Sequence, residues 1–82
     1  AVRWFQLAAD QGHALAQRDL GLLYEQGQGV TQDTLEAFFW YSLASRQDSG
    51  RARIRRDALA AMLTPDQREA IAARLKGWRP RK

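Results

Sequence analysis

The sequence contains no cysteine, one histidine, one methionine and two prolines among its 82 residues. The absence of cysteine excludes a disulfide framework, a zinc site built on thiolates and thiol catalysis within this segment. No apolar run approaches the roughly 18 residues that a membrane-spanning helix needs. The apolar fraction of 45% and the charged fraction of 27% are ordinary for a folded soluble domain and argue against a disordered chain.

The charge is distributed unevenly along the chain, whose formal net charge is +4. Residues 1–45 carry two basic and five acidic side chains, a net charge of −3, whereas residues 46–82 carry 11 basic and four acidic ones, a net charge of +7. Such asymmetry can indicate an acidic partner for the basic half of a chain.

The sequence repeats itself at a spacing of 36 residues. A shift by this amount aligns identical residues at six of the first sixteen positions, including Trp4 with Trp40 and Leu7 with Leu43. A period in the mid-thirties is typical of repeats built from pairs of helices.

The spacing of apolar residues and of helix breakers predicts an all-α fold. Gly12 and Gly27 suit the ends of the first two helices, because glycine adopts the left-handed conformation without strain. Asp33 or Thr34 is a good N-cap for the third helix. Gly21 is unfavourable inside a helix and therefore predicts that a neighbouring helix approaches closely there. The five predicted helices cover residues 4–10, 14–26, 35–46, 50–63 and 64–76.

The start of the fifth helix carries the clearest local signal. Thr64 can act as N-cap, Pro65 suits the first helical position, and Gln67 completes a capping box with Thr64. Ile71 and Leu75 of this helix, with Trp78 after it, are spaced to cover the fourth helix. The third helix is apolar around most of its circumference, which predicts burial on several sides.

These residues, taken with their spacing, resemble the Sel-one-like repeat (SLR), a relative of the tetratricopeptide repeat. The resemblance is dense over about 45 residues, and its most specific part is the linker Gly27-x-Gly29-Val30-x-x-Asp33. It implies an α/α solenoid of antiparallel helix pairs, a superhelix that closes with a C-terminal capping helix. The implied units are a repeat over 1–32, a degenerate terminal repeat over 33–63, a capping helix over 64–78 and a basic tail over 79–82.

The chain departs from the repeat pattern in its second copy. Arg56, Asp57 and Ala60 stand where the first copy has Leu20, Gly21 and Tyr24. A further repeat is therefore not expected to dock on the second copy, and the fifth helix takes that place as a cap with a polar outer face. Because the N-cap of the first helix would precede residue 1, we expect this chain to be the C-terminal part of a longer array.

The residues that catalysis needs are sparse. His13 lies at the bend between the first two helices without companions, and Asp66 and Glu69 are ordinary acidic residues of a first helical turn. Gly27 and Gly29 end a helix and follow no strand, so they do not form a phosphate-binding loop. We expect no enzyme activity, no metal site and no cofactor.

The resemblance implies instead a non-enzymatic scaffold or adaptor that binds a protein or peptide through the inner face of its first helices. Family members of this kind occur often in bacteria, which makes a bacterial cytoplasm or periplasm the expected compartment, with a signal peptide left open. Trp4 and Trp40 occupy equivalent positions and are expected to have the same packing role. The predicted partner-binding residues are Arg3, Gln6, Phe39 and Ser42.

Two alternatives remain open. The first is that an arginine cluster binds nucleic acid or another acidic ligand, although its five members do not share one helix face; the cluster comprises Arg46, Arg51, Arg53, Arg55 and Arg56. The second is that the chain only caps an upstream array. In that case the edge formed by Trp4, Phe5 and Ala8 would be exposed, and the isolated chain could self-associate through it.

Overall fold

The computed structural model describes residues 2–47 and 50–79, and these residues form five helices and no strand. The helices are α1 (Val2–Asp10), α2 (Ala14–Gln26), α3 (Thr34–Gln47), α4 (Gly50–Ala60) and α5 (Pro65–Gly77). The predicted all-α architecture of helix pairs is confirmed. Residues 80–82 of the predicted basic tail lie outside the described residues.

A glycine determines where α2 ends, and a short polar side chain determines where α3 begins. Gly27 has φ 70°, and its N–H donates to the carbonyl of Leu23, so it closes α2 in the left-handed conformation. Asp33 is the N-cap of α3, because its Oδ1 accepts from the N–H groups of Leu35 at 3.1 Å and Glu36 at 3.2 Å.

Helix α3 is the centre of the fold. All eight residues from Ala37 to Ala44 are buried, more than two full turns, so no face of this stretch meets solvent. Helices α2, α4 and α5 each pack against α3, while α1 packs against α2. The third helix is therefore apolar around most of its circumference because it contacts other helices on several sides, as the sequence predicts.

The closest approach in the fold joins α2 to α3 at Gly21. A Cβ atom on Gly21 would lie 2.9 Å from Cδ1 and 3.0 Å from Cε1 of Tyr41. The Tyr41 side chain is almost fully buried. The predicted close approach at Gly21 is confirmed, and the contacting group is an aromatic ring.

The hydroxyl group of Tyr41 ties the same two helices together. It donates to Oε1 of Glu25 at 2.8 Å, and Nη1 of Arg55 lies 3.7 Å from Oε2 of the same carboxylate. Burial, followed by the hydrogen bond to Glu25, raises the pKa of Tyr41 well above its ordinary value of 10. Residues from α2, α3 and α4 thus meet around one carboxylate.

Helix α4 is shorter than predicted. It ends at Ala60 rather than Leu63, because the N–H groups of Met62 and Leu63 bond back three residues, to the carbonyls of Leu59 and Ala60, and tighten the chain out of the α-helix. Leu63 still reaches the core, but from this turn.

Helix α5 begins as predicted and packs differently. Thr64 and Gln67 form the complete capping box, with bonds of 2.9 and 3.1 Å. The prediction that α5 covers the fourth helix is wrong, because α5 packs chiefly against α3. Helix α4 is largely charged and buries only Ala52 and Leu59, so α3 offers the larger apolar surface.

We expect Gly21→Ala to destabilise the protein by roughly 1 kcal/mol. Alanine gains about 1 kcal/mol in helix propensity, but overpacking a buried contact costs about 1–3 kcal/mol. The matched control is Gly77→Ala, since a Cβ atom at Gly77 has no atom within 4 Å. Urea denaturation measures both variants, and a Gly21→Ala protein as stable as Gly77→Ala would show that the ring of Tyr41 can move.

We expect Tyr41→Phe to alter the pH dependence of stability. The raised pKa of Tyr41 stabilises the fold below about pH 10, and this contribution is lost as the pH rises above 10, because the unfolded chain then ionises more readily. At pH 8 the variant should be about 1–3 kcal/mol less stable, since it lacks a hydrogen bond to a charged group.

The difference in unfolding free energy between the two proteins should narrow between pH 9 and 11, measured by urea denaturation at each pH. All other titrating groups are common to both proteins and cancel in this difference. A gap that stays constant over this range would contradict the assignment to Tyr41.

Candidate partner-binding groove

A polar groove lies where α1, α3 and α5 meet. It encloses a volume of about 410 Å³. Helix α1 contributes two residues, α3 contributes three, and the remainder come from the end of α5 and the residues after it. The lining residues are Gln6, Asp10, Glu36, Phe39, Trp40, Arg74, Gly77, Trp78 and Arg79.

Arg74 holds the α5 side of the groove to α3. Its Nη1 lies 2.6 Å from Oε1 of Glu36, and its guanidinium carbon lies 3.9 Å from the centroid of the Phe39 ring. The planar guanidinium can make both contacts at once, an ion pair at its edge and a cation–π contact on its face. Phe39 in turn meets Trp40 edge to face, with ring centroids 5.0 Å apart.

The remaining polar groups of the groove are arranged by local hydrogen bonds. Nε2 of Gln6 donates to Oδ1 of Asp10 at 3.1 Å, one helical turn away on α1. Nη1 of Arg79 donates to the carbonyl oxygens of Trp78 at 2.8 Å and Lys76 at 3.2 Å. The groove therefore presents two carboxylates and two guanidinium groups, together with the half-buried Trp78.

The indole of Trp40 forms part of the groove wall without a polar partner. Its Nε1–H is buried and meets no acceptor among residues 2–47 and 50–79. Most buried N–H groups in proteins are paired, so this donor stands out.

The structure divides the four predicted partner-binding residues. Gln6 and Phe39 line the groove, and Arg3 lies exposed on the same helix as Gln6. Phe39 is buried beneath Arg74, and Ser42 is buried with its hydroxyl donating to the carbonyl of Phe38 at 2.7 Å. Phe39 therefore belongs to the groove wall beneath Arg74, whereas Ser42 lies outside the lining and is held within α3.

Several groove residues could not be predicted from the sequence, because they reach the groove only through the packing of α5 on α3. Arg74 and Glu36 are 38 residues apart, and only the packing of α5 on α3 brings them together. Trp78 and Arg79 follow the end of α5 and enter the groove by the same route. The one available signal is the placement of an arginine between Ile71 and Leu75, on the face that α5 turns towards the core.

The predicted arginine cluster is spread over several environments. Nη1 of Arg56 donates to Ser45 Oγ at 3.1 Å, and its Nε donates to Asp57. Nη2 of Arg46 lies 3.4 Å from the Leu75 carbonyl oxygen, Arg55 is paired with Glu25, and Arg53 is exposed. The fifth member, Arg51, lines a small pocket that also contains Tyr41 and Arg55.

The two equivalent tryptophans have different roles, so the prediction of a shared packing role is wrong. The exposed fraction of Trp4 is 67%, whereas that of Trp40 is 3%. Helices on more than one side enclose α3, but no helix in the described part of the chain covers the outer face of α1. Phe5 and Ala8, predicted to be exposed with Trp4 in one reading, are half-buried.

Residues 2–47 and 50–79 contain no group of three or more His, Cys, Asp or Glu side chains that could hold a metal ion. None of their helices is both long and apolar enough to cross a membrane.

Comparison with known proteins gives two matches. The Sel1 repeat family matches residues 1–13 and 14–49, which together are more than half of the chain. The chain is also 38% identical over 66 residues to chitin synthase regulatory factor 3 of the fission yeast Schizosaccharomyces pombe. This alignment covers 78% of the chain but only 7% of that relative. The match to a yeast protein does not support the expected restriction to bacteria.

We expect Arg74→Ala to lower the unfolding free energy by about 1 kcal/mol. Arg74 is half exposed, so its ion pair contributes little in water, and the contact with Phe39 supplies the remainder. A double-mutant cycle with Glu36→Gln should give a coupling energy that falls in 1 M salt. The control is Arg68→Ala on the exposed face of α5; if it costs as much as Arg74→Ala, the proposed link between α5 and α3 is absent.

Proposed function

Since this chain belongs to the Sel1 repeat family, we propose that it is a non-catalytic scaffold that binds a protein partner through the groove between α1, α3 and α5. Sel1 repeats generally mediate protein–protein interaction. The observation that carries the proposal is the groove itself, which combines a rigid aromatic wall with accessible polar groups from three helices. Interfaces commonly use such aromatic and arginine anchors.

The chemistry of the groove suits a peptide segment of the partner. Peptide backbones carry both donors and acceptors, and the groove offers both carboxylates and guanidinium groups. Asp10 and Glu36 can accept from backbone N–H groups or a basic side chain, while Arg74 and Arg79 can donate to carbonyl or carboxylate oxygens. Arg3 lies exposed on the same helix as Gln6 and is proposed to contact the partner at the edge of the groove.

The rigidity of the groove follows from its supports. Its floor is the buried part of α3, and α5 is fixed over it by Ile71 in the core and by the contacts of Arg74. A preformed groove loses less conformational entropy on binding than a flexible loop. This favours a stable docking surface over one that forms only with its partner.

The proposed organisation of the chain is that of repeat units closed by a cap. We propose units over 1–32, 33–63 and 64–78, with α5 as the capping helix. Residues 64–70 of α5 and its N-cap are all exposed, as the outer face of a cap requires. The scaffold would act as an adaptor within a longer repeat array, as the internal 36-residue repeat suggests.

The purely structural role of a cap and the binding of nucleic acid are weaker proposals. A cap alone does not account for accessible polar groups on the inner side. Nucleic-acid binding needs free guanidinium groups along one surface, and three of the five cluster arginines already have partners (Arg46, Arg55 and Arg56).

A peptide library tests the groove. Peptides selected from a random phage-displayed library against the wild-type chain should bind about tenfold more weakly to the Gln6→Ala/Arg79→Ala variant, because both altered side chains line the groove. Isothermal titration calorimetry with the synthesised peptides measures the affinities, and circular dichroism checks that the variant is folded.

The matched control is Arg53→Ala, an exposed arginine on α4 outside the groove. It should leave the affinity unchanged within about twofold. Selected peptides that bind the groove variant as tightly as the wild type, or that lose affinity with Arg53→Ala instead, would contradict the proposed function.

A further inference from the structure

A second, smaller pocket lies where α2, α3 and α4 meet, and it shares no lining residue with the polar groove. Its volume is about 150 Å³. Helix α2 contributes three of the lining residues, α3 one and α4 two. The lining residues are Arg18, Asp19, Leu22, Tyr41, Arg51 and Arg55. Within the part of the chain that the structure describes, three arginines and one aspartate thus line one small space.

The arginines of this pocket have hydrogen-bond donors to spare. None of the three donates a hydrogen bond to any of residues 2–47 and 50–79, and Arg51 also forms no ion pair with them. Each guanidinium group carries five N–H donors. Arginines elsewhere in the chain do bond to protein acceptors, as in the cases of Arg46, Arg56, Arg74 and Arg79.

The two ion pairs at the pocket are long. Nη2 of Arg18 lies 3.5 Å from Oδ1 of Asp19, and Nη1 of Arg55 lies 3.7 Å from Oε2 of Glu25. A charge-assisted hydrogen bond is shorter, about 2.7–2.9 Å. The arginine side chains are 29% and 53% exposed, so water screens both pairs. Their guanidinium groups therefore remain available to an acceptor in the pocket.

The charges of two helices act together on the Tyr41 side of the pocket. Burial and the hydrogen bond to Glu25 raise the pKa of Tyr41, whereas the positive charges of Arg55 and Arg18 oppose this rise. Because Arg55 belongs to α4 and Arg18 to α2, cations on two separate helices reach the same hydroxyl group. An anion in the pocket would be attracted by both.

The internal repeat shows that helix packing does not require these arginines. The 36-residue shift places Arg51 on Leu15 and Arg55 on Asp19, so the charge of this pair of positions changes from −1 in the first repeat to +2 in the second. Leu15 and Arg51 are both exposed, so burial does not explain the change. A departure from a repeated pattern that packing does not explain is expected at a functional site.

Arg51 also lies at an unfavourable place on its helix. The first turn of α4 contains Arg51 and Arg53 and no acidic residue. The N-terminal end of a helix carries partial positive charge, so cations there are unfavourable and anions are favourable. An anion bound beside Arg51 would offset this repulsion.

We propose that this pocket binds a phosphate monoester group carried by a phosphorylated serine or threonine of a protein partner. Such a group has a charge of about −1.5 to −2 near pH 7 and three strong acceptor oxygens. Guanidinium groups bind phosphate oxygens bidentately. That the phosphate belongs to a protein rests on the proposed scaffold function.

The size of the pocket limits what enters it. At about 30 Å³ for each molecule of liquid water, its volume corresponds to about five waters. This accommodates the five heavy atoms of a phosphate group and excludes an attached nucleoside. The remainder of the ligand therefore lies outside the pocket, as the chain of a phosphopeptide does.

Titration of the ¹⁵N-labelled chain with a phosphopeptide tests the pocket. The probe is acetyl-Gly-Gly-phosphoserine-Gly-Gly-amide, whose only charge is on the phosphate, and the same peptide with serine is its control. Nuclear magnetic resonance follows the side-chain Nε–H signals of Arg18, Arg51 and Arg55, each assigned by its loss in the alanine variant. These signals should shift and saturate with the phosphopeptide alone, and inorganic phosphate should displace it.

Three variants separate the pocket from a general attraction to a basic helix. Arg51→Ala should weaken phosphopeptide binding about tenfold, because it removes charged hydrogen-bond donors. Arg53→Ala removes the same charge from α4 outside the pocket lining and should leave the affinity unchanged within about twofold. Asp19→Asn should strengthen binding about threefold, since it removes a like charge from the pocket.

The proposal is wrong if the serine peptide binds as tightly as the phosphopeptide, or if Arg53→Ala costs as much affinity as Arg51→Ala. It is also wrong if inorganic phosphate does not displace the phosphopeptide. Vesicles containing phosphatidic acid that bind through Arg51, when the phosphopeptide does not bind, would assign the pocket to a membrane surface instead. Peptides selected on the polar groove carry no phosphate and contact other residues, so the two proposals fail independently.

Discussion

The contact between Gly21 and the ring of Tyr41 sets the distance between α2 and α3, and the rest of the structure depends on that distance. With a side chain at Gly21 the two helices would have to separate, and the hydroxyl group of Tyr41 would no longer reach Glu25 as it does at 2.8 Å. The eight consecutive buried residues of α3 need neighbours on several sides at close range. At the contact between α2 and α3, the small residue Gly21 and the flat ring of Tyr41 allow the two helices to pack at close range.

The position of α5 determines which part of α3 is available to a partner. In a regular series of helix pairs α5 would pack on α4. Helix α4 is too polar for this, because it buries only Ala52 and Leu59. By folding back over α3 instead, α5 buries Phe39 and brings Arg74 and Trp78 to the groove. Helix α5 thus builds one wall of the groove.

The two repeat units share a sequence pattern but differ in environment. Trp40 is enclosed because α3 has neighbours on several sides, whereas Trp4 lies on α1, which packs chiefly against α2. The substitutions between the copies follow this difference. Tyr41 with Arg55 suits an acidic neighbour, and Phe5 with Asp19 does not.

The sequence alone determined much of the local structure: five helices, the glycine at the end of α2, an N-cap at Asp33 or Thr34, and the capping box at Thr64. These features depend on residues within a few positions of one another. It also determined the family, the central place of α3 and the need for glycine at position 21. It could not determine the groove. Of the predicted residues, Gln6 and Phe39 line the groove and Arg3 and Ser42 do not, while Arg74 was missed.

Only the tertiary structure decided these points, because they depend on where α5 packs, and its apolar stripe is compatible with either α3 or α4. The exposure of Trp4 was decided in the same way. A periodic pattern specifies that a face is apolar, but burial depends on whether another helix lies against it.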